Sequence, residues 1–237
     1  VSSEITSKIL DSIKNNPDVV IFGYDYLINN HIKPNNPFEK TPFELKGEDI
    51  KNVRYSILNF DFDKYKHFKN RYNYNTPWGK LYRREYLNKY GFKFALGIFR
   101  SQDSLFNFTI LSQVKSILFV PIVGYHYRII DESVSNKFNP KMQEYNLLTL
   151  NEYKEIILKE KNEEAMKHFY TLCMKQFLYA CKLNFCHKNN PSTYKERKNE
   201  FLIARNHSLF KEGYNNGVIN DFRFELRPLA LAAKYNC

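Results

Sequence analysis

The sequence predicts an α/β fold: a mixed sheet with flanking helices, followed by an all-helical C-terminal region. Three observations carry this expectation. Ile5, Ile9, Leu10 and Ile13 recur at helical spacing and lead past Pro17 into Val19-Val20-Ile21-Phe22. A helix feeding a β-branched and aromatic run is the unit of a sheet whose strands are covered on both faces. Strand-like runs return at Ile117 to Val120 and Val123 to Ile130, and from Pro140 onward only helical periodicity remains. The expected division is 1–139 for the sheet-containing part and 140–237 for the helical part.

Composition bounds the rest. The chain has 237 residues, of which 43% are hydrophobic and 16% aromatic, ample for a buried core. No apolar run reaches the length of a membrane span, and the first residues lack the apolar core of a signal peptide. The net charge of +11 invites a nucleic-acid reading. The cations are scattered, however, and the groups Lys64, Lys66, Lys69, Arg71 and Lys195, Arg197, Lys198 read as solvated faces. No nucleic-acid partner is expected; an anionic substrate or an anionic membrane face suits this surface better. Cys173, Cys181, Cys186 and Cys237 show no C-x-x-C spacing, so reduced thiols are expected rather than a zinc site or disulfides.

In chain order, residues 4 to 15 read as an amphipathic helix stopped by Pro17, and Asp18 to Tyr24 as a buried strand. Residues 29 to 47, with three prolines and several Asn, read as a loop. Ile50, Val53 and Ile57 behind Glu48 and Asp49 give a second helix. Lys80 to Tyr82 is a short strand and Arg84 to Tyr90 a helix ended by Gly91. Ser101 can cap a further helix with its side chain, with Gln102 and Asp103 in the first turn and Leu105, Phe108 and Leu111 on its apolar side. In the strand after it, alternation sets Val123, Tyr125, Tyr127 and Ile129 on one face and Gly124, His126 and Arg128 on the other. In the C-terminal part, Leu147, Leu150, Ile157 and Leu158 mark one helix. Met166, Tyr170, Cys173, Phe177 and Ala180 mark a second, and Tyr194 to Asn206 reads as a third. Val218 to Tyr235 is amphipathic but broken by Pro228.

The chemistry concentrates in Thr76 to Asn107. Pro77 and Gly79 bracket Trp78, the single tryptophan, in a turn just ahead of Lys80. Asp103 falls in the first turn of its helix, where the helix N-terminus favours an ionised carboxylate. A carboxylate so placed can act as a general base. Arg128 and His126 share a strand face that runs toward Ser133, and Arg suits phosphate oxygens. Each has a plainer reading: Asp103 as a helix-start residue, His126 and Trp78 as packing residues, Arg128 as the partner of Asp131 or Glu132, Lys80 as a surface cation. Asp61 and Asp63 could chelate a divalent cation if both point the same way, but an ordinary loop is the default for that spacing.

The order W-G-K-L-Y-R-R-E-Y-L, Q-D-S-L-F-N, a strand pair, Y-H-Y-R and S-V-S resembles the second half of family 2 glycosyltransferases. The resemblance covers about 60 residues closely and extends more faintly back to Val1. It implies a partial GT-A (Rossmann-like) fold and inverting transfer of a sugar from a nucleotide-sugar donor to a glycan or lipid-linked acceptor. The setting it implies is bacterial capsule or cell-wall polysaccharide synthesis, cytoplasmic and at the inner face of the membrane. By position Asp103 takes the role of the base, and Gln102 stands where the family more often has glutamate. Trp78, Lys80, Gln102, His126, Arg128 and Ser133 are the expected substrate-binding residues. A divalent metal, Mg or Mn, is expected for the full-length enzyme, with its ligands outside this chain. Val1-Ser2-Ser3-Glu4 resembles the text just after the family's metal-binding motif. The resemblance thus implies a truncated chain that lacks the nucleotide-binding half and is inactive alone. A different reading stands beside it: a non-catalytic binding or scaffold protein that keeps the fold, favoured by that missing half and by Gln102. Donor sugar, acceptor, linkage and oligomeric state are not set by the sequence.

Overall fold

The computed structural model describes residues 3–13, 15–35, 41–59, 74–129, 137–222 and 226–235. The chain forms two compact units. The first takes 1–57, 61–95 and 106–133, and the second takes 58–60, 96–105 and 134–237. The expected α/β class is met by a five-stranded mixed sheet with helices around it. The second unit thus takes in residues 58–60 and 96–105 along with 134–237.

The first unit is built on two long parallel neighbours, β1 (Val19–Ile28) and β5 (Ser116–Ile129). β2 (His31–Lys33) and β4 (Lys80–Tyr82) pair antiparallel with β1, and β3 (Phe43–Lys46) pairs antiparallel with β5. Helix α1 (Ser3–Asp11) lies on one face: Ile9 is buried among Val20, Phe22, Leu118 and Val120. This is the covered, continuous apolar strand that the run from Val19 predicts. The helix ends at Asp11, earlier than expected, and Asn15 and Asn16 beyond it take left-handed φ of 61° and 48°. β5 runs straight through Pro121, where two strand-like runs were expected. The missing N–H is absorbed by a register shift, with Val120 opposite Phe22 and Val123 opposite Gly23.

The stretch expected to be a loop, 29 to 47, holds β2 and β3. Asn29 and Asn30 have φ of 48° and 64°, and Ile28 pairs with His31. That is a two-residue hairpin of the type Asn tolerates in place of Gly. Helices α2 (Glu48–Asn59) and α3 (Arg84–Tyr90) form where expected, and Gly91 closes α3 at φ 66°. Helix α4 (Gln102–Ile110) carries Leu105 and Phe108 on its buried side. Asp18, buried at the start of β1, takes the Arg83 guanidinium and accepts the Lys115 N–H at 2.7 Å, tying the amino ends of β1 and β5 to the end of β4.

The second unit is helical: α5 (Met142–Lys159), α6 (Glu163–Ala180), a π-turn at Cys181–Phe185, α7 (Tyr194–Arg205), α8 (Ser208–Asn216) and α9 (Arg227–Tyr235). Its core packs Phe177 against Phe201 and Phe210 at a tilt and against Tyr214 edge-on, at 5.3 to 5.4 Å between ring centres. α6 and α8 approach closely at Gly213, where a Cβ would stand 2.9 Å from the Met174 nitrogen. The apolar side of α5 differs from the expectation: Leu150 and Ile157 are buried, but Leu158 is exposed and Asn146, Thr149 and Tyr153 are buried instead. Pro228 does not break the last helix; it falls in the first turn of α9, where a missing N–H costs nothing. Among the described residues no helix is long and apolar enough to cross a membrane.

Cys173, Cys181 and Cys186 are free thiols. Burial pushes the Cys181 thiol up to about 12, with the nearby Cys186 adding to the effect, and burial raises Cys173 well above its ordinary value. Cys186 is exposed. Only the thiolate reacts, so at pH 8 maleimide modification should reach Cys186 roughly 100-fold faster than Cys181 or Cys173. Peptide mapping of a labelling time course measures this, and equal rates at the three thiols would contradict the packing described.

Candidate functional site

The candidate stretch is assembled by one side chain that pattern reading does not single out. Asn107, on α4, is 2% exposed. Its Oδ1 accepts from the Tyr82 hydroxyl at 2.7 Å, and its Nδ2 donates to the Thr76 carbonyl at 3.1 Å and the Asn75 carbonyl at 3.4 Å. The Thr76 carbonyl also takes the Lys80 ammonium, and the Thr76 hydroxyl donates to the Trp78 carbonyl at 3.3 Å. The turn, strand β4 and α4 thus share one polar lattice within the first unit. Gly79, at φ 73°, accepts the Phe22 N–H at 3.0 Å and passes the turn onto the edge of β1.

Trp78 packs into a tyrosine cluster. It stacks on Tyr125 at 4.7 Å and Tyr127 at 5.1 Å and meets Tyr24 edge-on at 4.7 Å. Tyr125 and Tyr127 thus share a side of β5, as alternation predicts. His126 and Arg128 take the opposite side, so Trp78 and these two residues are not brought together. Trp78 is half-buried among these tyrosines.

His126 and Arg128 are exposed at the carboxyl end of the parallel β1–β5 pair, with Asp25 opposite His126 and Leu27 opposite Arg128. In parallel sheets ligands bind outside the carboxyl ends of the strands. Asp25 accepts the Asn35 N–H at 2.8 Å. Its position beside His126 could have been found only by aligning β1 with β5, which the sequence does not do. Lys80 pairs with Ile21, four residues before Asp25. At 3.3 Å per residue that is about 13 Å further down the sheet. A cavity of about 150 Å³ opens at the other, amino end, lined by Asp18, Arg83, Glu85, Tyr86, Lys89 and Lys115. The ion pair that lines it serves the strand starts.

Gln102 and Asp103 belong to the second unit. Asp103 is exposed in the first turn of α4, and the backbone before it is unusual: Ser101 has a left-handed φ of 54°. The expected side-chain cap gives way to a different arrangement, because the Ser101 hydroxyl accepts from Gln176 Nε2 at 3.5 Å. Thr149 Oγ1 donates to the Arg100 carbonyl at 2.7 Å, and the hydroxyls of Tyr153 and Ser104 hydrogen-bond. Asn146 Nδ2 donates to the Gln176 carbonyl at 2.8 Å and fixes α5 to α6 behind them. Buried polar groups from two helices therefore hold the segment that presents Asp103. A left-handed non-glycine residue costs of order 1 kcal/mol and persists where its surroundings over-determine it.

Ser133, Asp61 and Asp63 lie outside the described residues. Among the described residues no group of three or more His, Cys, Asp or Glu side chains could hold a metal ion. No protein-family model and no curated protein matches this chain.

Replacing Asn107 with Leu would remove one hydrogen bond each from the Tyr82 hydroxyl and the Asn75 and Thr76 carbonyls. The expected loss is about 2 to 3 kcal/mol of unfolding free energy, read by urea denaturation. A change below about 0.5 kcal/mol would show that the turn does not depend on this amide.

Proposed function

We propose that the chain carries the acceptor-side part of an inverting glycosyltransferase, with Asp103 as the base that takes the proton from an acceptor hydroxyl. The observation that supports this most is the exposed Asp103 carboxylate on a helix start that Thr149, Gln176 and Tyr153 hold from behind. A general base has to be accessible to its substrate yet fixed in direction, and this arrangement meets both conditions. In the reaction the acceptor oxygen attacks the anomeric carbon of a nucleotide sugar, its proton passes to the Asp103 carboxylate, and the nucleoside diphosphate leaves. Within the first unit, the resemblance gives Arg128 and His126 a substrate-binding role of their own, and an Arg fork suits phosphate oxygens. The resemblance of the Q-D-S-L-F-N and Y-H-Y-R segments to family 2 glycosyltransferases supplies the substrate classes: a nucleotide-sugar donor and a glycan or lipid-linked acceptor. A polysaccharide-building role at the cytoplasmic face of a membrane is part of the same reading.

The test is a chain that includes the donor-binding half, incubated with a panel of nucleotide sugars and assayed for nucleoside diphosphate release. Asp103→Asn should lower turnover about 10²- to 10⁴-fold with an unchanged melting temperature. Turnover within about threefold of the parent would remove Asp103 from the mechanism.

A further inference from the structure

We propose that the cavity at the amino end of the sheet binds a phosphate group, with Arg83, Lys89 and Lys115 as its donors. The three cations come from three places in the chain and line one cavity of about 150 Å³. Arg83 follows β4, Lys89 lies in the last turn of α3, and Lys115 precedes β5. All three belong to the first unit. Asp18, on the same wall, is buried and fully engaged: one oxygen takes the Arg83 guanidinium and the other accepts the Lys115 N–H at 2.7 Å. It fixes Arg83 in place. The guanidinium donates once more, from Nη1 to the Asn16 carbonyl at 3.2 Å, while its Nε is buried and meets no acceptor among the described residues. A buried N–H on a charged group calls for an acceptor, and a ligand in the cavity can supply it.

The charge on the wall selects an anion. Among the described residues neither the Lys89 nor the Lys115 ammonium is in an ion pair, and Lys89 lies over the Tyr90 ring at 5.1 Å. Glu85, exposed on α3, is the second carboxylate on the wall beside Asp18. Three cations thus stand against two carboxylates, and once Asp18 and Arg83 cancel, Lys89 and Lys115 face Glu85 alone. Phosphate fits this surplus better than carboxylate. It carries about 1.5 to 2 negative charges at neutral pH, enough to outweigh Glu85. Its three terminal oxygens also suit donors converging from three elements, whereas a carboxylate offers two in one plane. Lysines bind phosphate as point charges, and the Arg N–H adds direction. The remaining wall is the rings of Tyr86 and Tyr90; the Tyr86 hydroxyl is already committed to the Ile110 carbonyl at 2.6 Å. Drug-sized ligands occupy pockets of about 300 Å³ or more, so this volume suits a free phosphate ion or the phosphate of a monoester whose remainder stays outside. The cavity lies at the opposite end of β1 from Asp25, and the inference does not rest on the transfer reading.

The test is a titration of the whole chain followed by amide NMR shifts, with inorganic phosphate and with methyl phosphate at neutral pH and constant ionic strength. Acetate is the control. Phosphate should move the amide signals of Arg83, Glu85 and Lys115 saturably, and acetate should not. Lys115→Gln and Lys89→Gln should each weaken phosphate binding about tenfold, whereas Glu85→Gln should strengthen it about threefold. All three side chains are exposed, so these variants should keep the parent's melting temperature. Tighter binding of methyl phosphate would support the proposal and assign the site to a phosphomonoester; tighter binding of the inorganic ion would support it and assign the site to free phosphate. No saturable shift in the parent, equal shifts with acetate, or affinities unchanged in all three variants would overturn the proposal.

Discussion

A buried carboxamide must find an acceptor for its N–H groups and a donor for its oxygen, and at Asn107 that requirement shapes the whole candidate stretch. Oδ1 draws in Tyr82 from β4, and Nδ2 draws in the carbonyls of Asn75 and Thr76. Each of those carbonyls is a backbone acceptor to which the amide supplies a donor. Once they are held, Lys80 finds the Thr76 carbonyl and Gly79 reaches the N–H of Phe22. The local order of Thr76 to Tyr82 thus follows from one side chain about thirty positions later in the sequence.

The helix that carries Asn107 is divided between the two units, with Gln102 to Leu105 in the second and Phe106 onward in the first. Each unit secures its own portion by polar bonds. In the second, Thr149, Gln176 and Tyr153 reach the backbone or hydroxyls of Arg100, Ser101 and Ser104. The C-terminal helices are therefore more than an added packing layer: they determine how Asp103 is presented. The same unit offers Leu96 and Phe99 to its surroundings a few residues earlier.

Much of the fold is legible in the sequence because local chemistry agrees with it. The run from Val19 can only be a covered strand, Gly91 and the acidic start of α2 mark their helix ends, and Val123 to Ile129 alternates as read. What escapes is non-local or rests on backbone conformations open to more than one residue type. The Asn29-Asn30 hairpin hides in an Asn-rich stretch because Asn is as common in loops as in left-handed turns. The buried side of α5 includes Asn146, Thr149 and Tyr153, which an apolar pattern cannot select, whereas Leu158 satisfies the pattern and stays in water. At the candidate site, Asp103 is visible as a helix-start carboxylate and His126 with Arg128 as one strand face. Asp25 and Asn107 are not visible, because only the pairing of β1 with β5 and the packing of α4 bring them to their partners. Trp78 shows the converse: a conspicuous residue whose surroundings are tyrosines.

The helical unit holds the start of α4 in place through Thr149 and Gln176. Hydrogen exchange at the Leu105 amide, which donates to the Ser101 carbonyl at 3.0 Å, tests it most directly. Thr149→Val removes the bond to the Arg100 carbonyl with little change of shape. Exchange at Leu105 should then quicken about tenfold, corresponding to roughly 1.4 kcal/mol of local opening, while amides in the middle of α6 keep their rates. An unchanged rate at Leu105, or an equal rise throughout α6, would contradict the claim.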